Sequence, residues 1–150
     1  MRGIDAVLQV LSGGIYDIKI GFDGDIETKD SFDTYILVAL FTDRRAGASE
    51  IVVSNYRRGW IGNEYTPGFE MGSKLWIYLE MPRLTKTVQN KIQTEAINAL
   101  QSLVSEGLAQ AIRGAELEFI SDGVSLVVDI QRTPSQVEKR YFDLWQNTGV

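Results

Sequence analysis

Residues 115–130 read AELEFISDGVSLVVDI. Ala115, Leu117 and Phe119 alternate with Glu116 and Glu118, and after Ser121-Asp122-Gly123 the apolar positions return at Val124, Leu126, Val128 and Ile130. A period of two on either side of a polar turn predicts an antiparallel hairpin with one buried face. Upstream, Val88, Ile92, Ala96, Ala99, Leu100 and Leu103 recur every three or four residues after Thr85, and Gly107 stands where a C-terminal cap glycine belongs. That spacing predicts a long helix, laid down just before the hairpin it can cover. Downstream of Pro134, Val137 to Trp145 alternates less cleanly and fits either a third strand or a terminal helix.

Working toward the N-terminus, Ser73 can cap a short helix over Lys74 to Glu80, with Leu75, Trp76 and Leu79 along one side and Pro82 ending it. Ser31 is a candidate N-cap for a helix from Phe32 to Asp43, with Asp33 in its first turn and Arg44 and Arg45 near its far end, matching the macrodipole at both poles. Its middle, Tyr35 to Phe41, is apolar on every face, so the helix should be covered on most sides; a buried strand is the competing reading. Ile15 to Ile20 alternates as a half-buried strand with Tyr16, Ile18 and Ile20 on one face. Phe22-Asp23-Gly24-Asp25 supplies a turn, and Ile26 to Thr28 can return as its partner. Hairpins bracketing one long and two shorter helices make an α+β fold, and without linkers or repeats residues 1–150 read as one domain.

Residues Arg44 to Gly72 show no sustained period apart from a possible short strand at Ile51-Val52-Val53. So long an irregular stretch is uncommon in a small domain and points to function. It carries Arg44, Arg45, Arg57 and Arg58, beside Tyr56 and Trp60. Guanidinium groups recognise carboxylate or phosphate by forked hydrogen bonds and stack on aromatic faces; the plainer alternative is that they pair with nearby acids and hold the loop in shape. Glu64 and Glu70, near Trp60, Tyr65 and Phe69, raise a glycosidase alternative, which needs two carboxyl groups about 5–5.5 Å apart for retention or about 6.5–9.5 Å apart for inversion. Asp23, Asp25, Asp30 and Asp33 lack the spacing of a calcium loop, and Gly13-Gly14 and Gly21 make no phosphate-binding fingerprint, so neither metal nor cofactor is expected.

Composition narrows the chemistry further. The 150-residue chain has no cysteine and no histidine, which removes disulfides, thiol nucleophiles and histidine-based triads. Its formal charge of −5 disfavours nucleic acid as a partner. No apolar run is long enough to span a bilayer, and no signal-peptide pattern opens the sequence, so the expectation is a protein without a membrane partner that works where it is made.

Four segments carry a resemblance. Phe41-Thr42-Asp43-Arg44-Arg45-Ala46, Arg57-Arg58-Gly59-Trp60-Ile61-Gly62, Gly72-Ser73-Lys74-Leu75-Trp76 and Tyr141-Phe142-Asp143-Leu144-Trp145 resemble, in order and spacing, the small baseplate protein of Mu-like contractile-tailed phages. The second and third blocks are the specific ones, although Ile61 stands where that family usually has a second tryptophan. The resemblance implies a non-enzymatic wedge subunit of the virion tail baseplate, assembled in the bacterial host cytoplasm. Its implied partners are other wedge and hub proteins and the tail sheath. It would offer the sheath a start point, with Ala115 to Ile130 and Val137 to Trp145 exchanging strands with a neighbour. The partner-binding candidates are Arg44, Arg45, Arg57, Arg58, Gly59, Trp60, Gly62, Trp76, Tyr141 and Trp145. A lysozyme-like name attached to some related wedge proteins is a second source for the glycosidase alternative, but no acidic pair falls within the matched blocks.

Overall fold

In the computed structural model, residues 4–10, 16–50 and 56–146 are described, the side chains of Ile4, Val10, Asp30, Trp145 and Gln146 excepted. The segments Gly13-Gly14 and Ile51-Val52-Val53 and residue Ile15 lie outside the described residues.

The alternation at 115–130 forms the centre of the fold. Among the described residues, seven strands and three α-helices follow the chain: β1 (Ile4–Ala6), β2 (Leu8–Val10), β3 (Tyr16–Ile18), β4 (Thr28–Asp30), α1 (Phe32–Phe41), α2 (Leu75–Leu79), α3 (Lys86–Ser105), β5 (Ala111–Ile120), β6 (Gly123–Thr133) and β7 (Gln136–Gln146). A short 3-10 helix at Ile61–Tyr65 lies between α1 and α2. Strands β5, β6 and β7 form one antiparallel sheet in that order, so the segment left open between strand and helix is a strand. The β5–β6 loop is Ser121-Asp122, and Gly123 already belongs to β6, so the turn lies one residue earlier than the Asp-Gly signal suggests.

Along β6, Leu126, Val128 and Ile130 are fully buried. They face the stripe on α3, whose six predicted positions, Val88, Ile92, Ala96, Ala99, Leu100 and Leu103, are all buried, and they share one apolar cluster with Phe32, Ile36, Ala39 and Leu40 of α1 and Leu75 of α2. Burial of each large aliphatic side chain contributes about 1.5–3 kcal/mol. The ends of α3 follow its sequence signals: Thr85 accepts from the Val88 amide at 3.3 Å, and Gly107 adopts φ +73°. Beyond the helix, the amides of Leu108 and Gly107 bond to the carbonyls of Leu103 and Val104, a Schellman closure.

Several local expectations change. Helix α1 ends at Phe41, and Thr42 is extended, so Arg44 and Arg45 lie beyond the last turn and do not complement its dipole. Ser31 occupies the cap position in helical conformation and makes no side-chain cap, because those angles turn its hydroxyl away from the free amides. Helix α2 starts at Leu75 and ends at Leu79; Ser73 still accepts from the Leu75 amide, while its hydroxyl donates to the Leu40 carbonyl and joins α2 to α1. Phe119 is 67% exposed, since the hairpin tip runs past the stripe that covers Leu126 and Val128.

The N-terminal region is also built differently. Val7 donates to the Glu27 carbonyl and accepts from the Lys19 amide, both at 2.8 Å. Before this junction β1 pairs with β4, and after it β2 pairs with β3, so the return strand bonds mainly to β1 instead of closing a hairpin with β3. What remains of that hairpin is its tip: the Ile20–Ile26 bridge, with the Glu27 amide donating to the Lys19 carbonyl at 2.9 Å and the Gly21 amide to the Asp25 carbonyl at 2.8 Å. Tyr16 stacks on Phe41, which meets Phe142 edge-on, tying these small sheets to the core. The rest of the apolar face expected to be half-buried, Ile18 and Ile20, is exposed.

Candidate functional site

Residues 42–46 leave α1 as an extended segment held on two sides. On one side the Ser73 amide donates to the Thr42 carbonyl and the Arg44 amide donates to the Ser73 carbonyl, each at 2.9 Å. On the other, Trp60 donates to the Asp43 carbonyl at 2.8 Å and Ala46 donates to the Arg57 carbonyl at 3.0 Å. Three distant pieces of sequence are thereby joined through backbone groups. Gly72, at φ +101°, permits the first contact, because a Cβ there would stand 2.3 Å from the Thr42 carbonyl oxygen. Gly59, at φ +116°, permits the second, with Arg45 Cβ only 2.8 Å from where its own would be.

The arginines then divide into braces and a free cation. Arg58, itself at φ +51°, pairs with Asp43 and Glu80, each at 2.7 Å, while its guanidinium lies 4.7 Å from the centre of the Trp76 ring. Trp76 is buried and donates its indole N–H to the Arg44 carbonyl at 2.9 Å, so it forms the floor beneath Arg58. Arg57 donates Nε to the Ala46 carbonyl at 2.6 Å. Arg44 donates Nη2 to the Glu70 carbonyl at 2.9 Å and lies 3.6 Å from the Glu70 carboxylate. Arg45 is exposed and has no ion pair among the described residues.

The wall opposite is the 3-10 helix. Asn63 exchanges two hydrogen bonds with the Met71 backbone, each at 2.9 Å, and so fixes that helix against the chain leading to Gly72. The Trp60 ring lies over Gly62; a Cβ at Gly62 would stand 2.2 Å from it. Between these walls is a cleft of about 910 Å³, lined by Arg44, Arg45, Tyr56, Arg57, Arg58, Gly59, Trp60, Ile61, Asn63, Glu64, Tyr65 and Glu70. Trp60, Ile61 and Tyr65 present 49%, 69% and 78% of their surfaces to solvent. At the loop's other end, Glu50 accepts from the Gly47 amide and from Lys74, and these bonds, the amide first, hold its carboxyl below the usual carboxylate range.

Residues 32–137 of this chain, more than half of it, match the family model described as "Phage protein GP46". The chain belongs to the GP46 family. Among curated relatives, the Mu-like prophage FluMu protein gp46 of Haemophilus influenzae is 36% identical over 84 residues, 56% of each chain. The baseplate protein gp46 of Escherichia phage Mu is 38% identical over 96 residues, covering 62% of this chain and 65% of the relative. The matches thus span between about half and two thirds of the relatives' lengths. The Mu-like resemblance carried by the four sequence blocks therefore holds, and both distinctive blocks lie inside the GP46 match.

The structure brings six of the ten candidate residues to the GP46 cleft and places Gly62 under the Trp60 ring and Trp76 under Arg58. Tyr141 is elsewhere: it pairs with Val127 on the sheet, on the opposite face from Leu126 and Val128, and is 60% exposed. Trp145 pairs with Val124 through its backbone, and its side chain lies outside the described residues. Glu64 and Glu70 both line the cleft, with Glu70 engaged by Arg44. Asp23 and Asp25 accept amide bonds within their own turn and Asp33 pairs with Lys29 and Arg140, and no cluster of potential metal-binding side chains occurs among the described residues. Asp43, Glu80, Asn63 and Gly72 were not singled out from sequence as site residues, because their roles depend on partners far away along the chain. No helix among the described residues is long and apolar enough to cross a membrane.

Proposed function

We propose that this protein is a structural wedge component of a contractile phage tail baseplate, one domain acting through protein–protein contacts and without catalysis. The observation that carries this reading is the braced cleft, where Arg45, without an ion pair among the described residues, and exposed aromatic side chains stand on a backbone fixed from two sides. Arginine, tryptophan and tyrosine are the side chains that most often dominate interface energy. Pre-organising them reduces the entropy lost on binding. The name of the Mu relative, a baseplate protein, supports the assignment to the virion tail; assembly in the host cytoplasm, with wedge, hub and sheath proteins as the neighbours, is part of the same proposal.

The outer edges of β5 and β7 supply the second half of the reading. Both strands flank β6 and carry no further strand among the described residues, so their free backbone groups suit strand addition by a sheath subunit and a start point for the sheath.

The test is co-sedimentation of Arg45→Ala/Trp60→Ala with the other baseplate proteins. Both side chains face solvent in the cleft, so the variant should fold and fail to enter the complexes. Normal incorporation defeats the proposal. Peptidoglycan turnover by the purified protein that disappears in Glu64→Gln or Glu70→Gln would instead establish the glycosidase alternative.

A further inference from the structure

The turn at Phe22–Asp25 presents an exposed apolar group beside acidic side chains. Phe22 is fully exposed at its end, and Ile20 and Ile26, which face one another across the bridge, are 55% and 47% exposed. Such a group of exposed apolar side chains marks an interaction site. Asp23 and Asp25 follow Phe22 in the turn, and their carboxylates accept amide bonds within it but have no cationic partner among the described residues. Lys19 is paired with Glu27 at 2.9 Å and does not neutralise them. The tip is therefore an exposed aromatic ring followed by two carboxylates, on a turn fixed by its own hydrogen bonds.

The cleft offers the complementary set. Trp60 and Tyr65 supply ring faces and edges for a phenyl group, and Arg45, with the guanidinium of Arg57 beyond its Nε bond to Ala46, supplies donors for carboxylates. Glu64 is the acidic side chain of that wall without an ion pair among the described residues, and Glu70 is engaged by Arg44. The volume of about 910 Å³ lies within the range of sites that enclose a compact ligand. No hydrogen bond, ion pair or ring contact joins tip and cleft within the chain among the described residues.

We infer that the cleft receives the Phe22–Asp25 tip of a second copy of this chain, in a head-to-tail contact. This rests on the reading of the cleft as an interface and names its occupant. Because tip and cleft are different surfaces, the contact is heterologous: repeated copies close a ring if the rotation between them allows, and otherwise extend as a filament.

The experiment is sedimentation velocity of the full chain over a range of concentrations at low and high salt. The unaltered chain should associate, and more weakly at high salt. A blunted tip, Phe22→Ser/Asp25→Lys, and a blunted cleft, Arg45→Glu/Trp60→Ala, should each remain monomeric with unchanged circular dichroism. Mixed, they should form a one-to-one dimer, since each retains one intact half. Arg45→Glu alone should weaken self-association about tenfold or more and keeps the test valid if the double cleft variant misfolds. A monomeric unaltered chain at every concentration, association of either blunted variant alone, or a mixture that stays monomeric overturns the inference. If the blunted cleft also loses the other baseplate proteins while the blunted tip keeps them, the cleft is an interface whatever the outcome for the second copy.

Discussion

The sheet with α3 and the segment 42–74 reach a defined shape by opposite means. In the first, Leu100, Leu103, Leu126 and Ile130 are buried in a continuous apolar cluster, and shape follows from filling space. In the second, apart from Ala46, Gly72 and Ser73, the described residues are half-buried or exposed, and the shape follows from backbone hydrogen bonds, a forked arginine and glycines at which no Cβ fits. A core can exchange apolar side chains of similar volume at modest cost. A braced loop has no such latitude, because each brace is one donor aimed at one acceptor. Apolar burial makes the protein stable, and the braces make one face of it specific.

Four substitutions put this contrast to the test. The largest expected effect is Leu100→Ala, which removes a fully buried side chain from α3 and should cost about 2–5 kcal/mol in denaturant unfolding. A loss well under 1 kcal/mol would mean that the cluster is not what holds the domain. Next is Gly72→Ala, where the added methyl group meets the Thr42 carbonyl and the backbone is left-handed; the strain is about 1–3 kcal/mol. Its effect should stay local, with faster amide exchange at Trp60 and Ser73 and unchanged exchange in α3. Uniform acceleration would erase the distinction between the two regions.

Arg58→Ala comes third. Two ion pairs and a stacking contact disappear, but the side chain is 32% exposed, so the loss should be about 1 kcal/mol, read from the thermal midpoint. Arg58→Lys should recover only part of it, since one ammonium cannot reproduce the fork between Asp43 and Glu80. The smallest effect is Glu50→Gln, and it depends on pH. Because the folded protein holds this carboxyl below its ordinary range, the stabilisation is present above the unfolded value and is lost as pH falls through the lowered one. Thermal midpoints of the two proteins should differ near neutrality and converge in acid. A gap that is constant with pH would show that the Gly47 and Lys74 bonds do not favour the charged form.

The same contrast explains what could be read from sequence. The stripe of α3 and the alternation of β6 are local and periodic; the six predicted positions of α3 are all buried, and so are Val124, Leu126, Val128 and Ile130 of β6, with Ser125, Val127 and Gln131 buried besides. The braces are neither: Arg58 meets Glu80 across 22 residues, and Trp76 meets the Arg44 carbonyl across 32. Arginine, tryptophan and glycine marked the region, but spacing along the chain does not carry those pairings. The three-residue strands β1 and β2 were missed because they are too short to show a period, and Ile18 and Ile20 alternate as predicted while facing solvent. A periodic apolar face indicates that something covers it, and the covering group need not belong to the same chain.

The central claim is that the cleft at 44–70 is a contact surface in the assembled tail. A photo-crosslinking phenylalanine analogue in place of Tyr65, which lines the cleft and is largely exposed, tests it in intact particles, with the exposed Glu106 beyond α3 as the comparison position. A defined adduct with a neighbouring baseplate subunit from position 65, and none from position 106, is the predicted result. No adduct from position 65 in fully assembled tails would contradict the account.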